Sequence, residues 1–335
     1  MDFSEMSIAE LWQHSESEDQ EDRAFALVYL SLRLRESGDY STAISTGISA
    51  AELFSELQNA FMEGVAHYYT GLAHYFADEY VAGVEAFDKA AEIYRSTHSE
   101  KQIGDVILGK ARCLDHLSLG DEAIEAYFEA QKFFESAEEW TMSGIALLEV
   151  GEIFGSKGEE AEALKIFQES LRGFRLVGDL IGAGRAHDRI AAALIDLGRI
   201  GDALDNLREA YNIFEYISDE TRKTYAEYRL GWTLVTNEDY AEAIPYLESA
   251  SASYKEMNDF GREMGYQEGD ILVTINGVEI NLANIGTLLD YLMNSMKEGK
   301  KVKATVKREV GGKLDEIKLK AKARKVKKSE KHYLE

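Results

Sequence analysis

The same residue columns recur at a spacing of forty positions, six times over and without insertion, and no other feature limits the fold as much. A small residue stands at Ala43, Gly83, Ala123, Ala163, Ala203 and Ala243, and an aliphatic one follows each, from Ile44 and Val84 to Ile244. Seven residues after the first column comes a second small set: Ala50, Ala90, Ala130, Ser170, Ala210 and Ala250. Four further on stands an aromatic: Phe54, Tyr94, Phe134, Phe174, Phe214 and Tyr254. Twelve residues before the first column lies a third small set: Ser31, Gly71, Ala111, Gly151, Ala191 and Gly231. Offsets of seven and eleven return to one face of a helix. Small residues there let a neighbouring helix approach closely, and the aromatic fills the space left at the end.

The third small set falls on a preceding helix, so each copy reads as helix, tight turn, helix. Turn residues separate the two helices at 36–39, 156–158 and 196–198, where glycine takes the left-handed conformation that ends a helix. The expected pairs are 22–37 with 40–57, 60–77 with 80–96, and 101–117 with 121–136. The later ones are 140–156 with 159–175, 180–197 with 200–216, and 220–236 with 239–257. Residues 5–15 read as a short extra helix that caps the first pair. One pair cannot bury its apolar face, but a stack of pairs can. A single proline, Pro245, fits long uninterrupted helices.

The series from Gly158 to Leu171, GEEAEALKIFQESL, shows the small, aliphatic and second small columns together, with the aromatic Phe174 three residues on. It resembles the tetratricopeptide repeat. The forty-residue period is similar to the variant found in cell-polarity adaptors and bacterial peptide-sensing regulators. The resemblance implies a mainly α fold: a right-handed α-solenoid of six helix-turn-helix repeats over 22–263, preceded by a capping segment over 1–21. It also implies that the first helix of each pair faces a concave surface that holds an extended peptide or a helix. Along that face lie Phe25, Val28, Leu32 and Arg35 in the first repeat, Leu108, Asp115 and His116 in the third, and Ile145, Leu148 and Glu152 in the fourth. The expected peptide-binding set is Tyr68, Leu72, Tyr75, Asp105, Arg112, Arg185, Asp188, Tyr225, Tyr228 and Trp232. Aromatic residues and arginine often carry interface energy. The competing reading packs the aromatics between helices and pairs Arg112 with Asp115 and Arg185 with Asp188. The lysine and asparagine that hold a terminal carboxylate in dicarboxylate-clamp members are not found, so that mode is not expected.

After Glu263 the pattern changes. Residues 269–280 read as a strand, an Asn276-Gly277 turn and a second short strand. Residues 284–297 read as an amphipathic helix, and Lys301 to Glu309 and Glu316 to Val326 alternate as strands do. The stretch resembles the second half of a bacterial PDZ domain, giving a small α+β module over 264–335. The carboxylate-binding loop and its strand, which belong to the first half, are not recognised. Three explanations stay open: a second chain supplies the missing strands and makes a homo-oligomer through the open sheet edge, the module is a remnant cap, or the chain is a truncated or engineered fusion.

Charge marks the same boundary. Residues 265–335 carry 15 lysines and arginines against 10 acids, which leaves 22 against 51 for residues 1–264. So acidic an array repels nucleic acid and anionic membranes, and neither is expected as a partner. The basic run from Lys318 to Lys328 reads as a solvated strand-edge cluster. One cysteine, Cys113, cannot form a disulfide within the chain, and no apolar run of membrane-spanning length or signal-peptide pattern is seen. These features point to the cytoplasm.

No catalytic motif, phosphate-cradling loop or metal-ligand pattern is found. His67 and His74 stand seven apart on one helix without a third ligand nearby. Cys113 reads as a small buried hydrophobe. The expected function is therefore binding: a protein-interaction scaffold without catalytic residues, metal or cofactor. The alternatives are a peptide-sensing regulator, or a fusion whose PDZ-like part assembles with a second chain.

Overall fold

A computed structural model describes residues 2–239, 241–250, 253, 271–275, 278–279, 301–310 and 313–322. A short helix α1 (Ile8–His14) precedes five complete pairs. These are α2 (Gln20–Ser37) with α3 (Tyr40–Glu56), α4 (Ala60–Phe76) with α5 (Tyr80–Ser96), and α6 (Glu100–His116) with α7 (Gly120–Ser136). Then come α8 (Trp140–Ser156) with α9 (Glu160–Val177), and α10 (Leu180–Asp196) with α11 (Ile200–Tyr216). Helix α12 (Glu220–Thr236) opens a sixth pair, whose second member is helical over residues 241–250. The ends of α2 to α12 lie within about two residues of those expected, the tolerance of any helix boundary, and α1 begins three residues later than expected.

One backbone device makes every link. A residue with positive φ stands at position 38 and every twentieth position to 238: four glycines and seven other residues, among them Gln58, His98 and Glu138. At Gln58 its own N–H donates to the Ser55 carbonyl at 3.0 Å, and the Asn59 N–H donates back to the Phe54 carbonyl at 2.9 Å. The Asn59 carbonyl then accepts from the Glu63 N–H at 3.0 Å and opens the next helix. This is the Schellman closure. It recurs within pairs and between them, so the backbone repeats every twenty residues and only the side chains repeat every forty.

The two helices of a pair divide the packing. Second helices supply rings and first helices supply glycines. The ring of Tyr94 lies over Gly64, Phe134 over Gly104, Phe174 over Gly144 and Phe214 over Gly184, so close that a Cβ there would sit 2.6–2.8 Å from ring atoms. Phe87 fills the space beside both Gly71 and Gly109, and Phe167 that beside Gly151. These rings are buried. Cys113 lies fully buried among them, and burial pushes its thiol pKa up to about 12, which makes it a core residue.

The chain divides into two compact units, Met1–Gly182 and Ala183–Glu335. The second contains α11, α12 and an antiparallel sheet of order β2-β1-β3-β4. Its strands are β1 (Ile271–Ile275), β2 (Val278–Glu279), β3 (Lys301–Val310) and β4 (Lys313–Lys322). The long β3–β4 ladder sets Lys301 opposite Lys322 and Arg308 opposite Asp315. Strands therefore occur where alternation predicts them, with β4 beginning three residues earlier than expected. The expected helix 284–297, both two-residue turns and the basic end beyond Lys322 lie outside the described residues.

Turn and ring make separable predictions. Gly158 has φ 74° and nothing within 4 Å of a Cβ, so Gly158→Ala costs only backbone strain, about 1 kcal/mol. At Gly144 a Cβ would meet the Phe174 ring at 2.8 Å, and Gly144→Val should cost about 2–3 kcal/mol by overpacking. Urea denaturation of both variants should rank them in that order, and equal losses would contradict the division of labour.

Candidate functional site

In the first unit, α2 touches α4 and α4 touches α6. Side chains tie first helices to one another: the Tyr75 hydroxyl meets Nε2 of His116 at 3.1 Å, and Arg112 donates to Glu149 at 3.4 Å. Lys101 also pairs with Glu139, just before α8. Second helices α3 and α5 instead spread apart over α4, leaving a cleft of about 440 Å³ lined by Ile48, His67, His74, Glu85 and Lys89 among others. First helices that close up and second helices that splay put the first helices on the inner side of the curve.

That inner face brings together five of the expected residues. The Tyr68 ring packs against Phe87 with centroids 6.0 Å apart, and Leu72 and Tyr75 lie half-buried against the same core. Burial, aided by the Asp105 carboxylate, pushes the Tyr68 hydroxyl pKa up to about 12. Asp105 is itself raised to about 6, chiefly by burial, with Lys101 opposing the shift and Glu139 adding to it. Burial works against the charge on Arg112, but Glu149 and the nearby Tyr127 and Tyr75 raise its pKa nonetheless.

The second unit carries the other five. Asp188 of α10 is 9% exposed and accepts from Nη1 of Arg229 on α12 at 2.6 Å. The Arg229 guanidinium lies 5.9 Å from the centroid of the Tyr225 ring. Tyr228 and Trp232 meet edge to face at 6.3 Å. Tyr225, Tyr228 and Trp232 are 41%, 43% and 52% exposed, and Arg185 is exposed.

The structure corrects the sequence at several points. The ion pairs of Arg112 and of Asp188 include partners beyond their own helix, and Arg112 takes Glu149 in place of Asp115. They cross to the next first helix, Arg112 to Glu149 and Asp188 to Arg229, because neighbouring first helices present matching positions there. Glu149 and Arg229 belong to one column, Glu149, Arg189 and Arg229, with steps of forty residues. Leu108 and Leu148 are buried core residues, not groove residues. In the first repeat the chain covers its own face. Buried Phe3 stacks on Phe25 at 6.2 Å and on Tyr29 at 6.1 Å, and Arg33 donates to the Ser4 carbonyl at 2.6 Å. Val28 is buried as well. Among the described residues, no three His, Cys, Asp or Glu side chains converge as metal ligands, and no helix is long and apolar enough to cross a membrane.

Known proteins share this architecture. Residues 141–216 match the family model of the tetratricopeptide repeat. Tetratricopeptide repeat protein 29 of Macaca fascicularis is 28% identical over 145 residues, and the protein of that name from Homo sapiens 30%. Each match takes in 42% of this chain and 30% of the relative, so the chain spans less than a third of the curated relatives it matches. Among solved structures, the apo form of RapI aligns with a TM-score of 0.58 at 16% identity, over 74% of this chain and 76% of that one. A Rap protein complexed with competence and sporulation factor aligns with a TM-score of 0.50 at 14% identity, over 76% and 79%. In fold the chain is a helical-repeat array similar to these proteins.

The raised pKa of Asp105 has a defined sign. Protonation is favoured in the folded state, so this group's contribution to stability is fully present below its ordinary value of 3.8 and is lost as pH rises through about 6. Asp105→Asn should therefore raise the melting temperature at pH 8 (~2 units above that midpoint) and leave it unchanged near pH 4. An equal effect at both pH values would show that Asp105 is not desolvated.

Proposed function

We propose that the chain is a protein-interaction scaffold that holds an extended peptide or a helix of a partner against its first helices. The exposed trio Tyr225, Tyr228 and Trp232 carries this proposal. Exposed aromatics grouped on one helix face beside arginine are a common anchor for a partner chain. The half-buried set Tyr68, Leu72, Tyr75, Asp105 and Arg112 is a second contact region on the first unit. That a Rap protein of similar fold is complexed with competence and sporulation factor supports the idea that such an array takes a ligand. Binding of this kind needs no catalytic group, metal or cofactor. The strands after residue 270 are then an accessory, PDZ-like module with an edge open to a second chain, and the cytoplasm is the proposed location.

Affinity capture from a lysate of the source organism tests the surface. The whole chain should retain a partner that the Tyr228→Ala, Trp232→Ala double variant loses by about tenfold, as expected when two anchors of ~1 kcal/mol or more are removed. Equal recovery by both baits would show that this face does not bind partners. Arg112 is a poor test position, because charge reversal there places two carboxylates beside each other at Glu149.

A further inference from the structure

We infer that the cleft over α4 binds a linear aliphatic amine, either a free polyamine or the lysine side chain of a partner, with ammonium groups at Glu63 and Glu85 and the methylene stem against Ala51, Ala82 and Ala86. The cleft opens between second helices, so this site is separate from the surface proposed above.

Acids abound over this chain, and what sets the cleft apart is its floor. Along α4 it is lined by Glu63, His67, Thr70 and His74. Forty residues on, the columns of Glu63 and His67 hold Ile103 and Ile107, and eighty residues on that of His67 holds Leu147. All three of these are buried apolar residues. The walls are small as well: the columns of Ala51 and Ala86 reach Leu171 and Ile166 in the fourth repeat. At the neighbouring positions around α6 the charges cancel, with Lys110 on Asp88 at 2.6 Å and Arg95 on Glu129 at 2.9 Å. Among the described residues, Glu52, Glu63, Glu85 and Lys89 of the cleft enter no ion pair. The second repeat thus keeps open and polar a space that later repeats fill.

Nearly every polar group of the cleft accepts hydrogen bonds. The Thr70 hydroxyl donates to the Ala66 carbonyl at 2.8 Å, which leaves its lone pairs for a ligand. Burial, and then the Lys89 ammonium, hold the His67 pKa below its ordinary value, with Glu63 opposing them. The imidazole is therefore neutral near pH 7 and keeps an accepting nitrogen. His74 is taken by Glu79 at 2.8 Å. Three carboxylates, Glu52, Glu63 and Glu85, against the one ammonium of Lys89 leave the rim net negative. A cation rich in N–H donors satisfies this set, and an anion does not. From Glu63 to His74 the floor runs about 16 Å along the helix. A volume of about 440 Å³ between alanine walls suits a narrow methylene chain. A metal ion is the less suitable cation, because no three ligand side chains converge among the described residues.

The test titrates the whole chain with spermidine, with a neutral glycol of like length, and with a glycine-rich peptide bearing one lysine. At least one of the two amines should bind by calorimetry with one-to-one stoichiometry. It should also move the His67 ring resonance, which His67→Leu identifies by its loss. The glycol should bind about tenfold more weakly, the difference expected of charge-assisted hydrogen bonds. Glu63→Gln with Glu85→Gln should cost the amine about tenfold in affinity. Glu122→Gln with Glu125→Gln, which removes equal charge from exposed positions of α7, should cost none. Ala86→Ile, at unchanged helical circular dichroism, should narrow the cleft and weaken binding. Spermidine ahead of the peptide supports a free amine as the source, and the reverse supports a partner's lysine. Equal losses in the two glutamine pairs would reduce the effect to general attraction by an acidic chain and overturn the site. Binding of neither amine, or binding with the His67 resonance unmoved, would overturn it as well.

Discussion

Everything in the helical part depends on the left-handed residue that closes each helix. The paired bonds from that residue and its successor end one helix and aim the next within three residues. Each residue added to a helix turns the following side chains by about 100°. A link longer or shorter by one would therefore carry Gly104 out from under Phe134. Because the links of the first unit are alike, every other helix in it faces the same way. Its inner face follows from that alternation, not from any single long-range contact.

The second constraint is steric. Rings from second helices occupy the space that glycines leave on first helices, so the first helices are held firmly on their ring-facing sides. Their remaining faces carry the ties between neighbouring first helices. In the first unit that face carries Arg112 with Glu149 and Tyr75 with His116, and it desolvates Asp105. In the second unit it carries one buried ion pair beside three exposed aromatics. A buried pair adds little net stability but is costly to break, so Asp188 and Arg229 serve mainly to fix how α10 and α12 meet.

Much of this was legible in the sequence. The forty-residue columns located the helix pairs, because a small residue facing an aromatic is a packing requirement that leaves a fixed spacing. The twenty-residue backbone period was hidden, since Gln58, His98, Ser118 and Glu138 occupy left-handed positions without the glycine that usually marks them. The glycines at 64, 104, 144 and 184 carry a forty-residue signal of their own. The partner of Arg112 is Glu149 and not Asp115, because spacing along one helix is visible in a sequence and adjacency between helices is not. The docking of Phe3 had no signal at all, as a few residues before a short helix have no period to detect.

The most direct measurement of the central claim is site-specific photo-crosslinking of the whole chain in its source cells. A benzophenone amino acid replaces Tyr228, on the inner face, or Tyr216, which is 81% exposed at the end of α11. If first helices hold the partner, position 228 yields a discrete crosslinked species and position 216 does not. Adducts at 216 without any at 228 would place the working surface on the second helices and contradict the account.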